Sequence, residues 1–201
     1  MPEQVKITLF SFDELSEESQ QNVIEGFREG YEPYYEAVYE DFVESMKEEY
    51  GADLKTKEIT WSGFWSSGDG ASFVCGFDTE VLLPILKEEL NGDQIAFLDS
   101  HDIVFYFSSI RTSYRYSHEN TIAGKIDYDA DLNREEEKIF EEIHEIFENK
   151  LTEIIREESR NLYGQLQDFY DQEMEDERMI EEIKEIYPGC SFREDGTVFK
   201  Q

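Results

Sequence analysis

The chain has 201 residues, 49 acidic and 18 basic, which gives a formal net charge of −31 at pH 7. A charge of this sign disfavours direct binding to nucleic acid or to an anionic membrane, and it favours basic partners or divalent cations. Hydrophobic residues make up 39% of the chain, enough for a folded core, so wholesale disorder is not expected. A merely soluble or salt-adapted protein would show the same excess of acids.

The two cysteines, Cys75 and Cys190, lie far apart, and neither belongs to a Cys-x-x-Cys or Cys/His cluster. Neither structural zinc nor a disulfide framework is therefore expected, and both side chains are predicted to be small buried hydrophobes. The N-terminus does not resemble a secretory signal, and no apolar run approaches the length of a membrane span. The sequence predicts a cytoplasmic protein.

The first fifty residues are predicted to form a short strand and two helices. Residues 6–12 alternate in hydrophobicity, as a strand does. Ser16 is a candidate N-cap for a helix that ends at Gly30, and a second helix extends from about residue 33 to Tyr50, with Gly51 as its stop.

The stretch Trp61–Phe73 combines aromatic residues and glycines with almost no charge. Large and small residues alternate on both sides of Gly68-Asp69-Gly70. This pattern predicts two strands joined by a tight turn, with glycine at positive φ and Asp hydrogen-bonding its own turn. Ile59, Trp61 and Phe73 are the predicted inward-facing residues of this hairpin.

Residues 79–128 are predicted to contain one helix and four strands. Thr79 caps the helix, which ends at Leu90 and either begins near Pro84 or kinks there. Alternation and turn residues place the strands at 95–98, 103–107, 110–117 and 121–128. Together with the hairpin, these strands predict a mostly antiparallel sheet.

The remainder of the chain is predicted to be helical and acidic. Asp131 or Asn133 caps a helix from about residue 134 to 175, and a shorter helix follows, up to Tyr187. Residues 190–199 predict a terminal hairpin. The predicted fold is therefore α+β: a mostly antiparallel sheet with N-terminal helices and a long acidic C-terminal helical segment. Its predicted parts are residues 1–130 and residues 131–201, the second packed on the first.

Three blocks of the chain carry a resemblance: FDELSEE at 12–18, SGFWSSGDGASF at 62–73 and YSHENT at 116–121. They resemble successive blocks of a phage protein family often labelled "antitoxin of a toxin–antitoxin stability system". The resemblance implies a phage-encoded protein that acts in the cytoplasm of a bacterial host. It implies no catalytic or ligand-binding residues.

Histidines near carboxylates are the main candidates for chemistry. Asp99, His101 and Asp102 would have to face His118 and Glu119 across the sheet to bind a metal or to act as acid and base. No His-Glu-x-x-His motif, nucleophile motif or phosphate-binding loop accompanies them. A non-enzymatic protein without a cofactor is therefore predicted.

The acidic helices predict a basic partner. Residues 132–187 contain 19 acids and 7 bases. Carboxylates three or four residues apart on a helix lie about 5–6 Å apart, so an exposed acidic helix can imitate the phosphates of a nucleic acid. The predicted function is inhibition, by charge mimicry, of a basic nucleic-acid-binding defence protein of the host, such as a CRISPR effector or a restriction enzyme.

The predicted partner-binding residues are Trp61, Phe64, Trp65 and Asp69 of the hairpin, and Glu135, Glu136, Glu137, Glu141, Glu142, Glu145, Glu148, Glu173, Glu175, Asp176 and Glu177 of the helices. Two alternatives remain open. One is an antitoxin-like or regulatory protein that masks a protein partner through the aromatic hairpin. The other is a metal-dependent enzyme that uses His101 and His118. A homo-oligomer is also compatible with the sequence.

Overall fold

The structure, a computed structural model, describes residues 6–189 and 191–199. Helix accounts for 54% of these residues and strand for 16%, and all pairings between the strands are antiparallel. The prediction of an α+β fold with N-terminal helices and a long C-terminal helix is confirmed.

Six α-helices and six strands occur in the described part of the chain. The helices are α1 (Glu17–Arg28), α2 (Glu36–Tyr50), α3 (Thr79–Lys87), α4 (Gly92–Ser100), α5 (Arg134–Glu173) and α6 (Asp176–Ile186). The strands are β1 (Ala52–Asp53), β2 (Ile59–Ser62), β3 (Gly70–Phe73), β4 (Gly76–Phe77), β5 (Val104–Arg111) and β6 (Ile122–Asp129).

The strands form a four-stranded sheet in the order β1-β4-β5-β6 and a separate hairpin of β2 and β3. Strands β5 and β6 pair over their full length, from Val104 opposite Asp129 to Arg111 opposite Ile122. The backbone N–H of Cys75, between β3 and β4, donates to the Ser109 hydroxyl of β5 at 2.8 Å. The hairpin is therefore tied to the sheet through the segment that follows β3.

The chain divides into two compact units. The central unit is Tyr35–Gln167, and the terminal unit combines Met1–Tyr34 with Asp168–Gln201. This division differs from the predicted boundary after residue 130, because α5 supplies buried residues to the sheet's core as far as Leu166, while the two ends of the chain pack together.

The core of the central unit lies between the sheet and α5. The buried apolar residues of α5 extend from Phe140 to Leu166, and the ring centroids of Phe140 and Phe147 lie 5.9 and 5.8 Å from that of Phe105 on β5. Cys75 is 6% exposed, and burial raises the pKa of its thiol to about 12, which confirms the prediction of a buried hydrophobe at this position. Cys190 lies outside the described residues.

Helix α5 covers the outer edge of β6. Three of its side chains bond to backbone groups of that strand: Thr152 Oγ1 accepts from Gly124 N–H at 3.0 Å, His144 Nε2 lies 3.2 Å from the Ile126 carbonyl oxygen, and Arg156 Nε donates to the Ile122 carbonyl at 3.4 Å. An open strand edge would offer such groups to other chains. The close approach requires Gly124, since a Cβ there would lie 2.6 Å from Leu151 Cγ.

The terminal unit has its own small core. Its buried residues come from both ends of the chain: Phe12, Leu15, Val23, Ile24, Met179, Ile183 and Phe192. Ser16 caps α1 by accepting the Ser19 N–H at 3.2 Å, as predicted. Phe192 bridges to Phe10 and Val198, and Gly196 adopts φ 85° in the turn predicted for the terminal hairpin.

Three of the predicted strands are wrong. The stretch 6–12 forms one isolated bridge, at Phe10, followed by a short 3-10 turn. Residues 95–98 lie within α4, because Asn91 accepts the N–H groups of Asp93 and Gln94 at 3.0 Å and so begins a helix where Asn91-Gly92 suggested only a break. The strand predicted over 110–117 ends at Arg111.

None of the helices in residues 6–189 and 191–199 combines the length and the hydrophobicity that a bilayer-spanning segment needs.

Candidate binding surfaces

One side of α5 carries a row of glutamates, Glu137, Glu141, Glu145 and Glu148, at spacings of four, four and three residues. We call it the acidic row. The first three are exposed, and among the described residues no basic side chain lies within 4 Å of their carboxylates. Glu148 is partly covered, with His144 Nδ1 3.9 Å away. The first three glutamates of the row therefore form no ion pair with a basic side chain of the described residues.

The other predicted glutamates at the start of α5 differ in role. Glu135 and Glu142 are exposed, on a different side of the helix from the acidic row. Glu136 is partly buried and accepts the Asn133 backbone N–H at 2.9 Å; this bond, helped by His101 at 3.5 Å, lowers the pKa of its carboxyl. Asn133 in turn accepts the N–H groups of Glu135 and Glu136. Glu136 thus helps to begin the helix, as part of a capping box.

The remaining predicted acids belong to the terminal unit. The Tyr31 hydroxyl donates to Glu173 at 2.5 Å, and Arg178 Nε donates to the same carboxylate at 3.2 Å. Asp176 pairs with Arg28 at 2.5 Å. Glu175 and Glu177 are exposed. Glu173 and Asp176 are therefore engaged in contacts that stabilise their own unit.

A second row of glutamates was not among the predicted partner-binding residues. Glu36, Glu40, Glu44 and Glu48 follow one another at spacings of four along α2. The last three line a groove of about 500 Å³ together with Val43, Lys47 and Thr56. The regular spacing of four was visible in the sequence and could have indicated this acidic face.

The predicted aromatic residues of the hairpin separate into packed and exposed ones. Trp61 donates its indole N–H to the Tyr39 hydroxyl at 2.7 Å and stacks on Phe64, with ring centroids 5.1 Å apart. Phe64 in turn lies 5.5 Å from the ring of Tyr163 on α5. Trp65, by contrast, is 78% exposed. Of the three, Trp65 alone presents most of its ring to solvent.

The predicted tight turn of the hairpin is wrong. Strands β2 and β3 pair from Ile59–Phe73 to Ser62–Gly70, so the connection is the seven-residue loop 63–69. Asp69 does bond its own loop, accepting the N–H groups of Trp65 and Ser66 at 2.8 and 2.7 Å, and these bonds lower the pKa of its carboxyl. Among the described glycines, positive φ occurs at Gly51, Gly189 and Gly196, and not in this loop.

The glycines of this loop serve a close contact with loop 112–121. A Cβ on Gly68 would lie 3.2 Å from the ring of Tyr116, and one on Gly70 would lie 3.0 Å from the Cα of His118. An open cleft of about 410 Å³ lies between the two loops, lined by Ser66, Ser67, Gly68, Tyr116, His118, Asn120 and Thr121. Two of the three sequence blocks, 62–73 and 116–121, thus meet at one site.

The histidine–carboxylate constellation does not assemble. His101 precedes β5 and contacts Glu136, whereas His118 precedes β6 and lies 2.7 Å from the Glu119 carboxylate. They flank opposite ends of the eight-residue β5–β6 pairing, a span of about 24 Å at roughly 3.4 Å per residue. The interpretation that His101 and His118 share one site is therefore wrong. In the part of the chain that the structure describes, no three His, Cys, Asp or Glu side chains are grouped so as to hold a metal ion.

Residues 34–176 match a protein family described as "Domain of unknown function (DUF8835)". The match covers 143 of the 201 residues, more than half of the chain. The chain belongs to this family. The DUF8835 match contains the acidic row, the aromatic hairpin and the cleft, but the family description assigns no activity to transfer. No curated protein and no solved structure matches the chain.

Proposed function

We propose that this DUF8835 protein is a non-enzymatic inhibitor that binds a basic, nucleic-acid-binding protein by imitating the charge of a polynucleotide. With the phage resemblance of its sequence blocks, the target would be a defence protein of the bacterial host, such as a CRISPR effector or a restriction enzyme. The acidic row on α5 is the observation that carries this proposal.

The acidic row is held in place by the packing of the same helix. Phe140, Phe147 and Leu151 are at most 1% exposed and fix the orientation of α5 against the sheet. The glutamates of the row therefore cannot rotate into the core, and on binding only their side chains have to be ordered. A row of carboxylates on a fixed helix is suited to bind a preformed groove of lysines and arginines.

The spacing of the row is compatible with a groove that receives nucleic acid. Four residues of helix rise about 6 Å, whereas a DNA strand advances about 3.4 Å of axis per phosphate. Successive glutamates therefore match roughly every second phosphate of one strand. A groove that binds phosphates by releasing counterions would bind this row with the same side chains, and with a similar sensitivity to salt.

The test compares two charge reversals of equal size. Glu137→Lys, Glu141→Lys and Glu145→Lys are combined in one variant. Glu18→Lys, Glu25→Lys and Glu29→Lys, at exposed positions along α1 that lie outside the predicted partner-binding set, are combined in a control of equal charge change. Each immobilised protein is exposed to bacterial lysate, and the captured proteins are identified. Each captured protein is then purified, and its affinity is measured at several salt concentrations and in competition with duplex DNA.

We expect the unmodified protein to capture basic nucleic-acid-binding proteins that duplex DNA displaces. Losing three exposed charge pairs of about 0.5 kcal/mol each should weaken binding by about tenfold or more in the α5 variant. The α1 control should retain most of the affinity. Charge mimicry by the acidic row would be contradicted if neither duplex DNA nor salt weakened binding. An equal loss of affinity in both variants would also contradict it.

A further inference from the structure

Acidic residues are almost absent from one part of the central unit. Residues 59–77 and 104–125 contain only two of the 49 acids, Asp69 and Glu119, together with three bases. These two ranges supply the hairpin with its loop 63–69, the strands β4 and β5, and the loop 112–121. The segments that form the cleft are thus poor in acids in a chain that is strongly acidic elsewhere; their two acids, Asp69 and Glu119, each lie on one of the two loops.

The same region exposes large aromatic side chains. Trp65 is 78% exposed, Tyr114 85% and Tyr116 48%, and the Arg115 guanidinium lies 5.2 Å from the centre of the Tyr116 ring. We call these four residues the aromatic patch. Tryptophan, tyrosine and arginine are the residues that dominate the binding energy of protein interfaces, and charged residues are depleted at interface centres. The aromatic patch has both features.

The charge distribution favours a second copy of the same chain as the occupant. Two chains of net charge −31 repel each other wherever their acidic helices would meet. A two-fold symmetric contact places the same patch of both copies together, so only an acid-poor patch avoids that repulsion. Here Arg115 of each copy would meet a nearly neutral surface.

The cleft provides a complementary shape beside the patch. Exposed aromatic side chains of 150–250 Å² would bury about 400 Å² per copy, roughly half of the 800 Å² per partner in a standard interface. The residues that line the 410 Å³ cleft supply further area. The half-exposed Tyr116 ring forms part of its lining, next to the hydroxyls of Ser66 and Ser67, and gives an indole an aromatic side chain to contact.

We propose that the protein forms a two-fold symmetric dimer through the aromatic patch, with Trp65 of each copy seated in the cleft of the other. This dimer goes beyond the proposed function, because it uses a different surface. From Glu145 to Tyr163, beside the hairpin loop, α5 rises about 27 Å. The acidic row therefore stays accessible in the dimer.

Sedimentation of the purified full chain tests the proposal. Molecular mass is measured from about 1 to about 200 µM protein, at low and high NaCl, for the unmodified chain, Trp65→Ala and Tyr34→Ala. Tyr34 is also 78% exposed but lies outside the patch, so it is the matched control. Circular dichroism shows whether each variant is folded.

We expect the dissociation constant of the dimer to fall as NaCl increases, because salt screens the repulsion between the acidic chains. This salt dependence is the opposite of that expected for binding to a basic partner. Trp65→Ala should weaken it about thirtyfold, as loss of an interface hot spot does, while Tyr34→Ala leaves it unchanged. A monomer at all concentrations and salt levels would overturn the dimer. So would a dimer that Trp65→Ala leaves intact, and neither result bears on the acidic row.

Discussion

The hydroxyl of Tyr31 bonds to a carboxylate within the terminal unit. Burial, and then the 2.5 Å hydrogen bond to Glu173, raise the pKa of Tyr31 from 10.0 to about 12. Because the folded state holds this proton more tightly than the unfolded chain, the associated stability is complete below pH 10. It is lost as the pH rises from about 10 to about 12.

We therefore expect the difference in free energy of unfolding between the unmodified chain and Tyr31→Phe to shrink over this pH range. At pH 8 the hydrogen bond should make Tyr31→Phe less stable by about 1 kcal/mol. Urea unfolding at pH 8 to 12 measures the difference, with Tyr34→Phe as the control at an exposed tyrosine. Parallel pH profiles for Tyr31→Phe and the unmodified chain would show that Tyr31 does not titrate in this way.

Several single residues were predictable because their effect is local. Ser16 caps α1, and Gly51 ends α2 at φ 65° in the left-handed region. Gly68 and Gly70 were correctly singled out but for the wrong reason, since they accommodate the neighbouring loop 112–121. A sequence reveals that glycine is unusual at a position, whereas the group that approaches it is fixed only by tertiary packing.

At the scale of elements, the packing of α5 on β6 depends on the absence of a side chain at Gly124. Gly124→Ala would place a Cβ 2.6 Å from Leu151 Cγ and should destabilise the protein by about 1–3 kcal/mol through overpacking. A Cβ added at Gly164 on α5 would meet nothing within 4 Å, so Gly164→Ala should instead stabilise by about 0.5–1 kcal/mol. Urea unfolding of both variants measures these two changes in the free energy of unfolding, which we expect to have opposite signs.

The loss of stability expected for Gly124→Ala would arise where α5 packs against the edge of β6. Amide hydrogen exchange at Gly124, whose N–H donates to Thr152, reports this directly. Exchange should accelerate in Gly124→Ala and stay unchanged in Gly164→Ala. A Gly124→Ala protein as stable and as protected as the unmodified chain would contradict the close contact.

Elements with a strong period were predicted well, and short ones were not. The buried apolar residues of α5 recur at helical spacing over about seven turns, from Phe140 to Leu166, a pattern typical of a helix. The apolar residues at 95–98 are too few to distinguish a strand from a helix, and the N-cap Asn91 decided the outcome. The two-loop cleft was not predictable, because its walls are about fifty residues apart in the chain.

At the scale of the whole molecule, 49 acids against 18 bases oppose compaction. Salt screens this repulsion over a Debye length of about 10 Å at 0.1 M. We expect the thermal midpoint to rise when NaCl is increased from about 10 mM to about 500 mM, where the Debye length falls from roughly 30 Å to below 10 Å. The measurement is thermal unfolding followed by circular dichroism.

The matched control for this experiment is the variant with Glu137, Glu141 and Glu145 changed to lysine, whose net charge is six units less negative. Its midpoint should respond less to NaCl than that of the unmodified chain, because there is less repulsion to screen. A midpoint that falls with NaCl in the unmodified chain would show that local ion pairs, such as Arg28–Asp176, outweigh the general repulsion.

The covered edge of β6 has a consequence for how the protein is made. The ribosome synthesises the complete sheet before any part of α5, because β6 ends at Asp129 and α5 begins at Arg134. At 5–20 residues per second, the forty residues of α5 take about 2–8 s to appear. During that interval, the backbone N–H and carbonyl groups at the outer edge of β6 lack the bonds that α5 later provides.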